Sequence, residues 1–201
     1  MQEFFRKESK NNSRGCWVLK CDIRKFFDNI DHDILMRLIS ARIKDEGVVW
    51  LVEKIVRSFS PGLPLGNITS QLFANIYLHE LDMFMKHVLK AEYYIRYCDD
   101  FVVLHTDKKY LENLVPKIND FLGDRLKMAL HPNKVSLTSY RQGIDFLGCV
   151  SFPHHTILRP KTRKRMLRRV NKKNASSYLG MLKHCNSYEL KKQVQQILGS
   201  L

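Results

Sequence analysis

Residues 16–27 alternate: Trp17, Leu19, Cys21 and Ile23 share one side, and Val18, Lys20 and Asp22 the other. That period of two predicts a half-buried strand. The period then lengthens. Ile34, Leu35, Leu38, Ile39 and Ile43 recur at helical spacing behind Asp31 and Asp33, which suit a helix N-cap, and Gly47 is expected to end this helix. A second helix is expected over 48–59, then a loop in the Gly- and Pro-rich stretch SPGLPLGN. From Asn67 or Thr69 a long helix keeps Leu72, Phe73, Ile76, Leu81, Phe84 and Val88 on one stripe to about Lys90. EYYIRYCDDFVVLH reads as two short strands around an acidic turn. Asp107 caps a further helix ending near Gly123, and strand patterns at 126–140 and 143–152 flank a turn at Arg141–Gly143. After Pro160 the chain reads as helical to its end.

The order β-α-α-α-β-β-α-β-β, then helices, predicts an α+β fold. Helices on one face of an antiparallel sheet make the βαββαβ ferredoxin-like (RRM-like) arrangement the natural candidate. A break is expected near 153–160. Three parts follow: 1–15, 16–152 and 153–201.

Composition adds little until charge is considered. The 201 residues are 44% hydrophobic, which is ordinary for a packed domain, and no apolar run is long enough to span a bilayer. The polar N-terminus is no secretory signal. Cys16, Cys21, Cys98, Cys149 and Cys185 are scattered without a C-x-x-C pair, so reduced thiols and a cytoplasmic setting are expected. His131, His154 and His155 fit no tetrahedral metal spacing. The net charge of +14 is uneven: from residue 153 onward twelve Lys and Arg face one acid, Glu189. Such a surface suits a phosphate backbone, with Arg159, Arg163, Arg165, Arg168, Arg169, Lys172 and Lys173 as the expected contacts.

The chemistry rests on acids. Asp22 ends the first strand, and Asp99 and Asp100 occupy a hairpin tip. If those strands are neighbours, three carboxylates meet at one edge. Phosphoryl transfer by two metal ions needs that convergence of hard oxygen ligands, which magnesium prefers.

The residues around those acids carry a resemblance. Tyr97-Cys98-Asp99-Asp100 resembles the Y-x-D-D box of reverse transcriptases. CDIRKFFDNIDH resembles their first palm motif, GLPLGNITSQLFANIYLHELD the loop and helix between the two acids, LHPNKV the fourth palm motif, and GIDFLGCV the primer-gripping hairpin. SYLGMLKHCNSYELKK resembles the start of the thumb. The resemblance implies a polymerase palm at 16–152, a fingers–palm remnant at 1–15 and a basic helical thumb segment at 153–201. It implies an RNA-directed DNA polymerase that uses two Mg2+ ions, which Mn2+ can replace. Asp22, Asp99 and the Ile23 carbonyl would bind metal, with Asp100 beside them. Phe27 would be the aromatic gate against a ribose 2′-OH. Leu65, Gly66 and Gln71 would adjoin the nucleotide, and Lys134 would assist pyrophosphate departure. Phe146, Leu147 and Gly148 would hold the primer end. Partners would be an RNA template, a DNA or RNA primer and deoxynucleoside triphosphates.

Two departures matter. Many relatives carry Gln-Gly and then Ser-Pro where this chain has Leu65-Gly66 and Ser70-Gln71. The pattern here is similar to diversity-generating and group II intron-like bacterial enzymes, which implies error-prone copying and a small accessory protein as partner. Fingers motifs ahead of the first palm strand are missing, so a fragment of a longer protein is expected. A non-catalytic nucleic-acid-binding remnant and a defence-type enzyme with untemplated synthesis stay open as alternatives.

Overall fold

A computed structural model describes residues 1–59, 61–183 and 185–199. In chain order the elements begin with helix α1 (Gln2–Glu8), strand β1 (Trp17–Asp22), α2 (His32–Arg42), α3 (Glu46–Arg57) and α4 (Ile68–Met83). Next come β2 (Tyr93–Tyr97), β3 (Asp100–His105), α5 (Lys108–Leu126), β4 (Ser136–Ser139), β5 (Ile144–Phe146), β6 (Cys149–Ser151) and β7 (Thr156–Leu158). Helices α6 (Pro160–Arg169), α7 (Ala175–Leu182) and α8 (Tyr188–Gly199) complete the chain. Two compact units result. One is Trp17–Leu137; the other joins Met1–Cys16 to Thr138–Leu201.

In the first unit the sheet order is β2-β3-β1-β4, and the chain leaves the unit midway along β4. β3 runs antiparallel to both β1 and β2. With α-helices after β1 and β3, this is the ferredoxin-like order expected from the sequence. The alternation of β1 has its expected consequence: Leu19, Cys21 and Ile23 enter the core. There they join Phe101 and Val103 of β3, Leu78 and Leu81 of α4, and Leu111, Leu114, Ile118 and Leu122 of α5. Apolar burial of this kind is the main favourable term.

Several boundaries differ from expectation. Gly47 lies inside α3 rather than ending α2. Helix α2 stops at Arg42 because Ile43 turns extended, and Asp45 then caps α3 by accepting the Val48 N–H at 2.9 Å. Gly123 does not end α5, which runs on to Leu126 and closes on Lys127 at φ 51°. Helix α4 gives way at Phe84 to one π-helical turn, Phe84–Val88, where Phe84 stacks on Phe121 at 4.1 Å. Of residues 126–140 only Ser136–Ser139 form a strand, with a single bridge from Leu130 to Ile23.

The other unit corrects the expected division. β6 pairs with both β5 and β7 in a separate three-stranded sheet, and β7 lies in the span read as a break. The hairpin therefore belongs with the basic helices, and the boundary falls at 137/138 instead of 152/153. Helix α1 joins this unit through Phe5, stacked on buried Tyr140 at 3.9 Å. Leu158, Met166, Val170, Leu182, Leu190 and Val194 form its small core. All five cysteines are free, and the Cys149 and Cys185 sulfurs sit 3.2 Å apart. Among the described residues no helix is long and apolar enough to cross a membrane.

Three elements of the first unit meet at Asp31. Its Oδ1 caps α2, accepting from Asp33 N–H at 3.0 Å and Ile34 N–H at 2.9 Å, while Oδ2 takes the Lys127 ammonium at 2.5 Å. Buried Tyr77 of α4 donates its hydroxyl to the Leu126 carbonyl at 2.8 Å and accepts the Asp31 N–H at 3.4 Å. Lys127 first, and the backbone donors after it, hold the Asp31 carboxyl below its usual value. A depressed folded pKa adds stability that is complete above the unfolded carboxylate value, near 4, and is lost as pH falls through the folded one. Asp31→Ala is expected to cost about 0.5–2 kcal/mol at neutral pH. Urea midpoints at pH 7 and pH 3 check this: the gap between wild type and variant should narrow at the lower pH, and a constant gap would contradict the assignment.

Candidate active site

Asp22 is the last residue of β1, and its register partner across the antiparallel pair is Asp100, the first of β3. Asp100 also pairs with Tyr97, so the β2–β3 turn is only Cys98-Asp99. Asp99 thus stands at the tip, one residue from the strand pair. A turn this tight demands a left-handed residue, and Cys98 supplies it at φ 53°. For a side chain with a Cβ that conformation costs about 1–2 kcal/mol.

Arg96 offsets the strain. Its Nη1 donates to the Cys98 carbonyl at 3.1 Å, while Nε and Nη2 grip the Asp82 carboxylate of α4 at 2.7 and 2.5 Å. The Tyr94 hydroxyl donates to the same carboxylate at 2.9 Å. Only a tenth of the Arg96 side chain is exposed, so the network is largely shielded from water. The hairpin tip is therefore bolted to a helix. No sequence motif singled out Arg96 or Asp82; the available signal was an arginine beside apolar Tyr94 and Ile95 within a strand.

The electrostatics are those of crowded acids. Asp22 is 7% exposed. Burial raises the Asp99 pKa, and the negative charges of Asp22 and Asp100 raise it further. Burial likewise raises Asp100, with Lys20 and Lys134 opposing and Asp22 reinforcing the shift. The Lys134 ammonium meets both Asp22 oxygens at 3.0 Å, which raises the lysine pKa. Its loop is tied to the same residue. His131 N–H donates to the Asp22 carbonyl at 2.8 Å, and Lys134 N–H donates to the His131 carbonyl at 3.0 Å. Arg24 N–H bonds the Ala129 carbonyl at 3.0 Å. The Ile23 carbonyl lies between these two bonds.

Among the described residues no three His, Cys, Asp or Glu side chains form a ready metal cage. Unscreened carboxylates repel, and Lys134 already neutralises Asp22. The donor set nevertheless fits a hard divalent cation: its oxygens are partly shielded from water and carry surplus negative charge.

The remaining sequence candidates fall into two groups. In the first unit Phe26 is buried and Phe27 half-buried, their rings edge-on at 5.1 Å. Gly62, unnoticed in the sequence, locks the following loop against Phe27. Leu63 N–H donates to the Phe27 carbonyl at 2.8 Å, and His32 Nε2 lies 2.7 Å from the Gly62 carbonyl. Gly66 has φ 95° and open space where a Cβ would sit. Leu65 is 76% exposed, and Gln71 lies exposed in the first turn of α4. In the other unit Leu147 and Gly148, at φ 54° and 81°, form the two-residue tip of the β5–β6 hairpin, with Phe146 buried behind them. Arg159 is committed to an ion pair with Asp145, its Nε at 2.8 Å. Arg163, Arg165, Arg168, Arg169, Lys172 and Lys173 are exposed on α6 and the turn after it.

Comparison with known proteins shows the family. The family model described as reverse transcriptase (RNA-dependent DNA polymerase) matches residues 1–151. The group II intron-encoded protein LtrA of Lactococcus lactis subsp. cremoris is 35% identical over 204 residues, covering 66% of this chain and 34% of that protein. Protein YkfC of Escherichia coli (strain K12) is 25% identical over 193 residues, covering 75% and 49%. The chain thus spans half or less of these relatives. Among solved structures, apo telomerase from Candida tropicalis superimposes with a TM-score of 0.59 at 13% identity, over 75% of this chain and 34% of that one. Telomerase from Candida albicans in complex with a fragment of telomeric RNA gives 0.59 at 12% identity, over 83% and 37%. These structures share the fold.

The two loop glycines separate strain from clash. At Gly62 a Cβ would sit 2.1 Å from the Phe27 carbonyl oxygen, whereas at Gly66 it meets nothing within 4 Å. Both have positive φ, so alanine pays the conformational cost at either position. Gly62→Ala is expected to lower stability by at least about 1 kcal/mol more than Gly66→Ala. Denaturant unfolding of both variants checks this, and equal costs would refute the clash.

Proposed function

This chain belongs to the reverse transcriptase (RNA-dependent DNA polymerase) family, and from that premise we propose that it adds deoxynucleotides to a primer 3′-OH on an RNA template. One observation carries the reading: Asp22 and Asp100 face each other across adjacent strands, Asp99 projects at the adjoining tip, and Lys134 lies on Asp22. Asp22, Asp99 and the Ile23 carbonyl would hold divalent cations, Mg2+ or Mn2+, with Asp100 fixing the geometry beside them. Bound there, such ions stabilise charge on the attacking and leaving oxygens.

The protein's own residues do the positioning. Arg96 keeps the Asp99 turn from relaxing. Lys134 holds the Asp22 carboxylate in place until substrate binds. Its ammonium, one side-chain swing from the site, then serves the departing pyrophosphate as a charge or a proton donor. Phe27 presents a half-buried ring on a backbone pinned through Leu63, a rigid wall against a ribose 2′-OH. Leu65 and Gly66 leave the nucleotide side of the loop open. Leu65 offers no hydrogen bond where an amide could, so discrimination between correct and incorrect pairs is weaker and copying is error-prone. Gln71, in the first turn of α4, supplies a side-chain amide. The Phe146–Gly148 hairpin grips the primer end, and the exposed cations of α6 follow the template–primer backbone.

Primer extension on an RNA template with magnesium tests the proposal. Wild type should extend, and Asp99→Asn/Asp100→Asn should lose at least about a hundredfold in rate, as expected when several kcal/mol of charge stabilisation is removed. Template–primer binding should survive in the variant. If neither protein extends and both bind in a salt-dependent way, the chain is a binding module and the polymerase reading fails.

A further inference from the structure

The unit formed by Met1–Cys16 and Thr138–Leu201 contains a cleft of about 440 Å3 that plays no part in the roles above. That volume is in the range of small-molecule sites. Arg14, Arg141, His154 and His155 line it, together with Asn12 and Phe152, and no acid does. Neither Arg14 nor Arg141 has a carboxylate partner among the described residues. Two unpaired guanidiniums facing one cleft are a receptor for an anion, most naturally a phosphate that both can chelate.

Two further features say more than anion. Asn12 Oδ1 is buried and lacks a hydrogen-bond partner among the described residues. Its backbone is held in place, since Asn12 N–H donates to Ser9 Oγ at 3.0 Å and Arg14 N–H to the Ser9 carbonyl at 3.0 Å. A buried acceptor left unsatisfied costs about 1–3 kcal/mol, so the position calls for a donor. The cleft also presents a stacked pair: the Phe152 and His155 rings lie 4.8 Å apart at 16°. Phe152 is wedged against Gly143, where a Cβ would come within 2.5 Å of the ring, and its N–H donates to the His155 carbonyl at 2.8 Å. Such a fixed aromatic platform suits a nucleobase.

We propose that this cleft binds a nucleoside monophosphate, free or as the 5′ end of an RNA strand. Arg14 and Arg141 take the phosphate, with His154 beside them. The base stacks on the Phe152–His155 pair, and an exocyclic amino or hydroxyl group donates to Asn12. The site uses none of the carboxylates of β1 and β3 and needs no metal ion.

Calorimetric titration of the whole chain with AMP in excess EDTA tests this, because chelation excludes metal-dependent binding at the carboxylates. AMP is expected to bind at least about tenfold more tightly than inorganic phosphate or adenosine alone. Arg14→Ala/Arg141→Ala should weaken AMP by about tenfold or more, and Asn12→Leu should weaken AMP but not phosphate. Both arginines are exposed, and unchanged thermal melting would show that the fold is intact. A short RNA with a 5′-phosphate, compared with its 5′-hydroxyl form, separates the sources. An arginine-dependent gain from that phosphate identifies a strand end; the same dependence for AMP alone identifies a free nucleotide. Equal affinity for AMP and phosphate, or an arginine double variant that binds AMP as wild type does, overturns the proposal.

Discussion

Two carboxylates directly opposed on adjacent strands in a partly buried place repel each other, and a cation relieves that repulsion. Asp22 and Asp100 create that situation, and Asp99 sharpens it. Lys134 answers it for Asp22, with one ammonium on both oxygens. The rest of the first unit can be understood as holding this unfavourable grouping together. A structure does not keep buried like charges side by side unless something nearby compensates.

The compensation is spread over several elements. β1 and β3 fix the acids through register, which a slip of one residue would invert. Arg96, anchored on Asp82, closes the turn that presents Asp99. Gly62 brings the loop after α3 against Phe27 where no side chain would fit. Tyr77 and Lys127 fasten α4 and the end of α5 to the cap of α2. Each contact is modest alone. Together they give the acids a rigid mounting, which catalysis by positioning and charge requires.

Much of this was legible in the sequence, because period and motif spacing are local properties. Alternation at Trp17–Ile23 gave a strand and the face it buries, and Asp31 and Asp107 were readable as helix caps. Glycine misled at two positions: Gly47 and Gly123 sit inside helices whose ends are set by Asp45 and Lys127. Asp82 with Arg96, and Gly62 with Phe27, join residues far apart in the chain and carry no periodic signature. The hairpin at 144–151 looked continuous with the sheet before it. Its third strand, β7, is only three residues long and falls in a stretch that reads as a linker. Arg159 looked like one cation among many, and only the fold reveals Asp145 beside it.

The most direct test of the carboxylate grouping as a cation site is Mn2+ binding to the purified chain, followed by loss of the free-ion signal in electron paramagnetic resonance. Wild type should take up Mn2+, and Asp22→Asn and Asp99→Asn should each weaken that uptake by at least about tenfold, as expected when a charged oxygen ligand is removed. Uptake by both variants equal to that of wild type would contradict the site.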